Sequence, residues 1–142
     1  MGDTNNLELV EQLYRALRDR DEKRYGDFYA EHATVRMAGV PRPLGGVLEG
    51  RDRIVENLRR HDIESYEVRS MFGDGANVCV IIKLSGAMVG TQFLEGNNQP
   101  YTTYECVVYQ IENEHIQEQT SYINWMDVYV QTGMVDLTPL RT

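Results

Sequence analysis

Leu7, Val10, Leu13, Tyr14 and Leu17 recur every three or four positions across 4–19, the spacing that lines one face of a helix with apolar side chains. Thr4 stands where an N-cap is expected, Glu8 and Glu11 fall early, and Arg15 and Arg18 fall late, as the helix dipole favours. A second, short helix is predicted over 21–30, with Tyr25, Phe28 and Tyr29 on one side, followed by a strand at 33-ATVRMA-38. The segment 39-GVPRPLGGVLEG-50 carries too many glycines and prolines for a regular element, so it reads as a loop. Ile54, Val55 and Leu58 then mark a third helix over about 51–60.

From residue 62 the period changes from helical to strand-like. Residues 62–72 lead into 73-GDG-75, a hairpin signal. The next segment, 76–89, is apolar at every position of its centre apart from Lys83 and is expected to be covered on both faces. A polar loop, 95-EGNNQP-100, precedes the strand 101-YTTYECVVYQI-111, and 112-ENEH-115 turns the chain into 116-IQEQTSYINW-125. A last helix is predicted over 126–133, with Gly133 as its C-cap. Helices grouped ahead of a run of antiparallel strands make an α+β pattern, expected to form a curved antiparallel sheet with helices on its concave side. A strongly curved sheet closed by helices leaves a cavity, and such cavities suit a small molecule. No repeat or linker divides the chain, so residues 1–142 read as a single domain.

Composition narrows the partners. A net charge of −8 repels phosphate backbones and anionic headgroups, so neither nucleic acid nor a membrane surface is expected as a partner. The basic stretch 50-GRDRIVENLRR-60 is interleaved with acids and reads as a solvated helix face. The polar, acidic start is unlike a secretory signal and no apolar run is long enough to span a bilayer, which points to the cytoplasm. Cys79 and Cys106 lie in apolar strands, read as buried free thiols, and have no histidine spacing that suggests a metal.

Three stretches carry a resemblance. The first, 25-YGDFYAEHATVRMAG-39, resembles the helix end and first strand of the nuclear transport factor 2-like group. The second, 48-LEGRDRIVENL-58, resembles its third helix start, and 109-YQIENEHIQEQTSYINWMDVYVQTGM-134 resembles its last hairpin and tail. That group includes SnoaL-like polyketide cyclases, ketosteroid isomerases and limonene epoxide hydrolases. The resemblance implies its cone-shaped fold, a homodimer and a cofactor-independent site, but one scaffold hosts many chemistries.

The functional positions carry over unevenly. Met37 falls where ketosteroid isomerases place a proton-shuttling Asp, Tyr14 matches their oxyanion-donating Tyr, and Val107 falls at their second acid, with Glu105 two residues earlier. The Arg-x-Asp pair of limonene epoxide hydrolases falls near Met88 and Gly90, and their last Asp falls at Ser121. The His and Asp common in SnoaL-like cyclases fall at Gln119 and Ser121. Each departure removes a proton-transfer group.

Strand alternation puts Tyr101, Thr103, Glu105, Val107 and Tyr109 on one face, and Gln117, Gln119 and Ser121 on one face of the next strand. If those faces look inward, Glu105 is a desolvated general acid or base, and Tyr14 is a donor to a substrate oxygen. Tyr109, Met37, Val107, Met88, Gln117, Gln119 and Ser121 then line the substrate. The competing readings are a solvated Glu105, a Tyr14 ring packed in the core, and Gln117 and Gln119 exposed on the hairpin. His32, His61 and His115 read as surface or capping residues, with no nucleophile at a recognisable spacing. Three functions follow: a cofactor-independent isomerase or cyclase of an apolar oxygenated metabolite, a non-catalytic binding or dimerising module, and an epoxide hydrolase with an atypical site.

Overall fold

The computed structural model describes residues 3–40, 46–59, 63–89 and 95–137. Its elements run α1 (Asp3–Arg18), α2 (Glu22–Asp27), β1 (Tyr29–Ala38), β2 (Val47–Glu49), α3 (Arg51–Arg59), β3 (Ile63–Asp74), β4 (Asn77–Ala87), β5 (Pro100–Glu112), β6 (His115–Ile123) and α4 (Trp125–Gln131). Helix α1 buries Val10, Leu13, Tyr14 and Ala16, the face that its periodicity marks. The helix begins at Asp3, one residue ahead of Thr4, the position expected for its N-cap. Helix α2 is capped by Asp21, whose carboxylate accepts from the Arg24 N–H at 3.1 Å.

The six strands lie in the order β2-β1-β6-β5-β4-β3. The sheet is mixed rather than wholly antiparallel, because β1 runs parallel to β6. A parallel pair needs a long crossover, and everything between these two strands supplies it. The sheet is also open, with β2 and β3 as its edges, instead of closing into a barrel. Two further departures come from local chemistry. Chain 21–30 leaves the helix after Asp27, so Tyr29 is the first residue of β1. The glycine- and proline-bearing segment ends in β2, a three-residue strand paired with Thr34–Arg36.

The core lies on the concave face. Val78, Val80, Ile82 and Leu84 of β4 and Val107, Tyr109 and Ile111 of β5 are buried there against Val10 and Leu13 of α1 and Ile54 of α3. Helices α2 and α3 come close enough that a Cβ on Gly26 would sit 2.8 Å from Val55 Cγ2, so glycine is required by space at that crossing. The convex face is not covered as the apolar run of β4 suggested. Phe72, Tyr104 and Tyr122 stand about half exposed (54%, 53% and 53%) around the half-buried Cys79, Ile81, Cys106 and Val108. The two thiols are free and half-buried rather than fully buried, with their sulfurs 3.4 Å apart on neighbouring strands. Among the described residues no helix is long and apolar enough to cross a membrane.

Candidate active site

Five tyrosines from five elements converge on the concave face. Tyr14 comes from the buried side of α1, Tyr25 from α2, Tyr29 from the start of β1, Tyr66 from β3 and Tyr109 from β5. The Tyr14 and Tyr109 hydroxyls are 2.8 Å apart, and the rings meet edge to face with centroids at 6.4 Å. Tyr66 packs edge-on against Tyr14 at 6.5 Å. The Tyr25 and Tyr29 hydroxyls are 3.0 Å apart, and Tyr29 donates to Gln119 Oε1.

One carboxylate sits within this group. Thr103, Glu105, Val107 and Tyr109 share the concave face of β5, and β6 opposes them with Ile123 at Glu105, Ser121 at Val107 and Gln119 at Tyr109. Glu105 keeps part of its surface open, yet its carboxyl is crowded by protein. That burial pushes its pKa up from 4.5 to about 7, partly offset by a hydrogen bond from Ser121.

The donors form a directed chain. Tyr29 spends its only proton on Gln119, so Tyr25 must donate to Tyr29. Gln119 Nε2 donates to Ser121 Oγ at 3.1 Å, which leaves the Ser121 proton for Glu105. Every link points toward the carboxylate and favours its ionised form against the desolvation that disfavours it. The phenols stay protonated. Burial raises Tyr25 to about 12 and pushes Tyr14, Tyr29, Tyr66 and Tyr109 upward, and the charge of Glu105 adds to the rise at all five. They act as hydrogen-bond donors, and Glu105 is the group poised to exchange a proton near neutrality. Ser121→Ala removes the donor that steadies the carboxylate. The Glu105 midpoint should therefore move above 7, read by carbon NMR titration of labelled glutamate; a midpoint that stays or falls contradicts the chain.

The structure brings most of the expected residues together. Tyr14, Tyr109, Glu105, Val107, Gln119 and Ser121 meet as described, and Met37 lies beside Ser121 in the parallel β1–β6 register. Met88 is buried just past β4, where its backbone pairs with Asn98 and Gln99. Gln117 does not join them. It is the extra residue of a bulge in β6, between Ile111↔Ile116 and Gln110↔Glu118, and Ile116 takes the inward place. Its amide donates back to the Glu112 and His115 carbonyls, at 3.1 and 3.4 Å. His115 bonds the hairpin carbonyl of Asn113, His32 is exposed on β1, and His61 lies outside the described residues. Among the described residues no three His, Cys, Asp or Glu side chains converge as metal ligands.

Sequence reasoning missed Tyr25, Tyr29 and Tyr66 as members of the site. The available signal was compositional: nine tyrosines against three phenylalanines put more hydroxyls among the aromatics than a purely packed core calls for.

A sequence profile of the SnoaL-like polyketide cyclase family matches residues 8–132, nearly the whole of the described chain. The protein belongs to the SnoaL-like polyketide cyclase family. Solved structures with this fold include a candidate SnoaL-like polyketide cyclase from Jannaschia sp. CCS1, with 13% identity and a TM-score of 0.78 over 94% of this chain and 95% of that one. A candidate polyketide cyclase from Xanthomonas campestris has 18% identity and a TM-score of 0.75, over 92% and 98% of the two chains. An LEH-like epoxide hydrolase from M. tuberculosis shares 16% identity with a TM-score of 0.71, over 93% and 92%. At these identities the likeness is one of fold. No curated protein sequence matches the chain. The resemblance drawn from the three stretches is thus borne out at the level of family and fold. In this SnoaL-like protein the Glu105 carboxylate lies with a set of phenols on the concave face.

Proposed function

We propose that this SnoaL-like protein is a cofactor-independent isomerase or cyclase acting on an apolar, oxygen-bearing small molecule. One observation carries the reading: Glu105 is the carboxylate at the centre of a tyrosine-lined concave face, and its pKa of about 7 lets it both take and return a proton. The chemistry is proton abstraction next to a carbonyl. The Glu105 carboxylate accepts the proton from carbon, electrons shift onto the carbonyl oxygen, and a phenolic O–H from the Tyr14–Tyr109 pair donates to the developing enolate. Protonated Glu105 then returns the proton at another carbon, which completes an isomerisation. Alternatively the enolate carbon attacks a second carbonyl, the π electrons of that C=O move onto its oxygen, and the oxygen takes the proton from Glu105, which closes a ring as a hydroxyketone. Val107, Met37 and Met88 supply apolar walls, and Gln119 and Ser121 hold Glu105.

The test is turnover of β,γ-unsaturated ketones and linear poly-β-ketones, followed by the absorbance of the conjugated or aromatic product. Glu105→Gln should lower kcat by a factor of about 10² to 10⁴, and Tyr14→Phe by about 10². Full turnover by Glu105→Gln rejects proton transfer at this residue and leaves a pocket that folds a reactive chain and lets it cyclise.

The same reading pairs two copies through the uncovered convex face, where Phe72, Tyr104 and Tyr122 form an apolar ridge. Wild-type protein should sediment as a dimer, and Tyr122→Glu, which puts like charges into a symmetric contact, should sediment as a monomer. A wild-type monomer at micromolar concentration removes this part of the proposal.

A further inference from the structure

A recess whose lining does not include Glu105 lies where the end of α1 and helix α2 face α3 and the start of β3. It measures about 400 Å³, within the range of small-ligand pockets. Leu17, Leu58, Ile63 and Tyr66 give it an apolar floor, and three arginines stand over that floor against two glutamates. Arg59 Nε is held by Glu22 Oε2 at 2.8 Å, so that pair is neutral. Arg18 and Arg20 remain on one side and Glu64 on the rim, and among the described residues Arg18 makes no ion pair. A surplus of positive charge over an apolar floor is unusual in a chain of net charge −8.

The backbone at Arg20 supplies a separate observation. Helix α1 ends with the Asp21 N–H donating to Ala16 O at 3.0 Å and the Arg20 N–H donating to Leu17 O at 3.2 Å, and Arg20 takes φ +53°. This left-handed position after a helix is normally glycine's, because a Cβ there is strained. An arginine at that position carries a backbone cost that glycine would avoid. Its guanidinium makes one described bond, from NH2 to Ile63 O at 3.3 Å, which draws it across the recess. One planar fork of five N–H donors has capacity for a bidentate acceptor beyond that contact.

We propose that this recess binds a small amphipathic carboxylate, its apolar part on Leu17, Leu58, Ile63 and Tyr66 and its carboxylate on Arg20 and Arg18. The Tyr66 ring, packed against Tyr14, forms the partition between this site and the Glu105 cluster. The proposal is independent of the chemistry assigned to Glu105.

Calorimetric titration with decanoate tests it, with decanol and decyltrimethylammonium as competitors. Wild-type protein should show saturable one-site binding that decyltrimethylammonium does not compete for and that decanol competes for weakly. Arg20→Gly should weaken decanoate at least tenfold while the Tm holds or rises, since the strained position is relieved. Arg20→Lys should recover part of the affinity, and Glu105→Gln should leave it unchanged. The idea is overturned by an absence of saturable binding or by equal affinity in Arg20→Gly. Equal loss in Arg20→Lys, which points to packing rather than charge, also overturns it, as does a response to Glu105→Gln, which places decanoate on the other side of Tyr66.

Discussion

Glu105→Gln will be more stable than wild type at pH 8 by about 3 kcal/mol and nearly equal to it at pH 4. The sign follows from where the proton is held more tightly. Burial raises the folded pKa from 4.5 to about 7, so the folded chain binds this proton more strongly than the unfolded one. The contribution of Glu105 to stability is therefore greatest below the unfolded value, falls as pH rises toward the folded value, and is flat above it. Glutamine mimics the neutral carboxyl, keeps an acceptor for Ser121, and carries no charge to desolvate at any pH. The difference in Tm between the two proteins should open from near zero at pH 4 to roughly 10 °C at pH 8. A gap that stays closed means that water reaches the carboxylate freely. If the same variant also loses turnover, stability and activity trade against each other at one residue, as they do where a site holds a group its surroundings disfavour.

Tyr29→Phe is expected to cost about 2–3 kcal/mol, although it removes a single oxygen. Tyr29 is 0% exposed, and its hydroxyl is both the donor to Gln119 and the acceptor for Tyr25. Phenylalanine keeps the ring packing and leaves the half-buried Gln119 carbonyl without its donor. The effect should extend to Glu105. With Gln119 free to rotate, its amide no longer fixes Ser121, and the Glu105 midpoint should rise. Tyr122→Phe on the exposed face is the control and should stay within about 0.5 kcal/mol. Equal behaviour of the two variants in urea unfolding would mean that the chain of donors contributes nothing to the fold.

Long, regular patterns were the legible part of this sequence. The apolar stripe of α1, the alternation along β5 and the turns at Gly75 and Asn113–Glu114 follow from side-chain period and turn chemistry alone. The inward direction of Glu105 follows from the same alternation, because β5 has no bulge against β4. The parts that were not legible depend on single residues of register. One extra residue in β6 turns Gln117 onto the hairpin while leaving Gln119 and Ser121 inside. Tyr29 was hidden because a two-residue difference in where α2 stops decides whether it belongs to a helix or begins a strand. The strand β2 has only three residues, too few for any periodicity to show. Parallel pairing of β1 with β6 has no local signature at all, since it is fixed by which apolar faces meet after the chain has collapsed.

That parallel pairing has a consequence for how the protein matures on the ribosome. Strand β1 cannot find its inner neighbour until β6 has emerged, and the contacts Tyr14–Tyr109 and Tyr29–Gln119 join residues 95 and 90 positions apart. Loops of that length close slowly, and contacts that depend on them form late. A nascent chain that stops before residue 119 holds α1, the β1–β2 pair and the β3–β4 hairpin, but not the complete inner neighbour of β1 and no acceptor for Tyr29. The Glu105–Tyr29 cluster therefore closes only once β6 is made, so a truncated copy carries the scaffold's early half without the donors that hold Glu105.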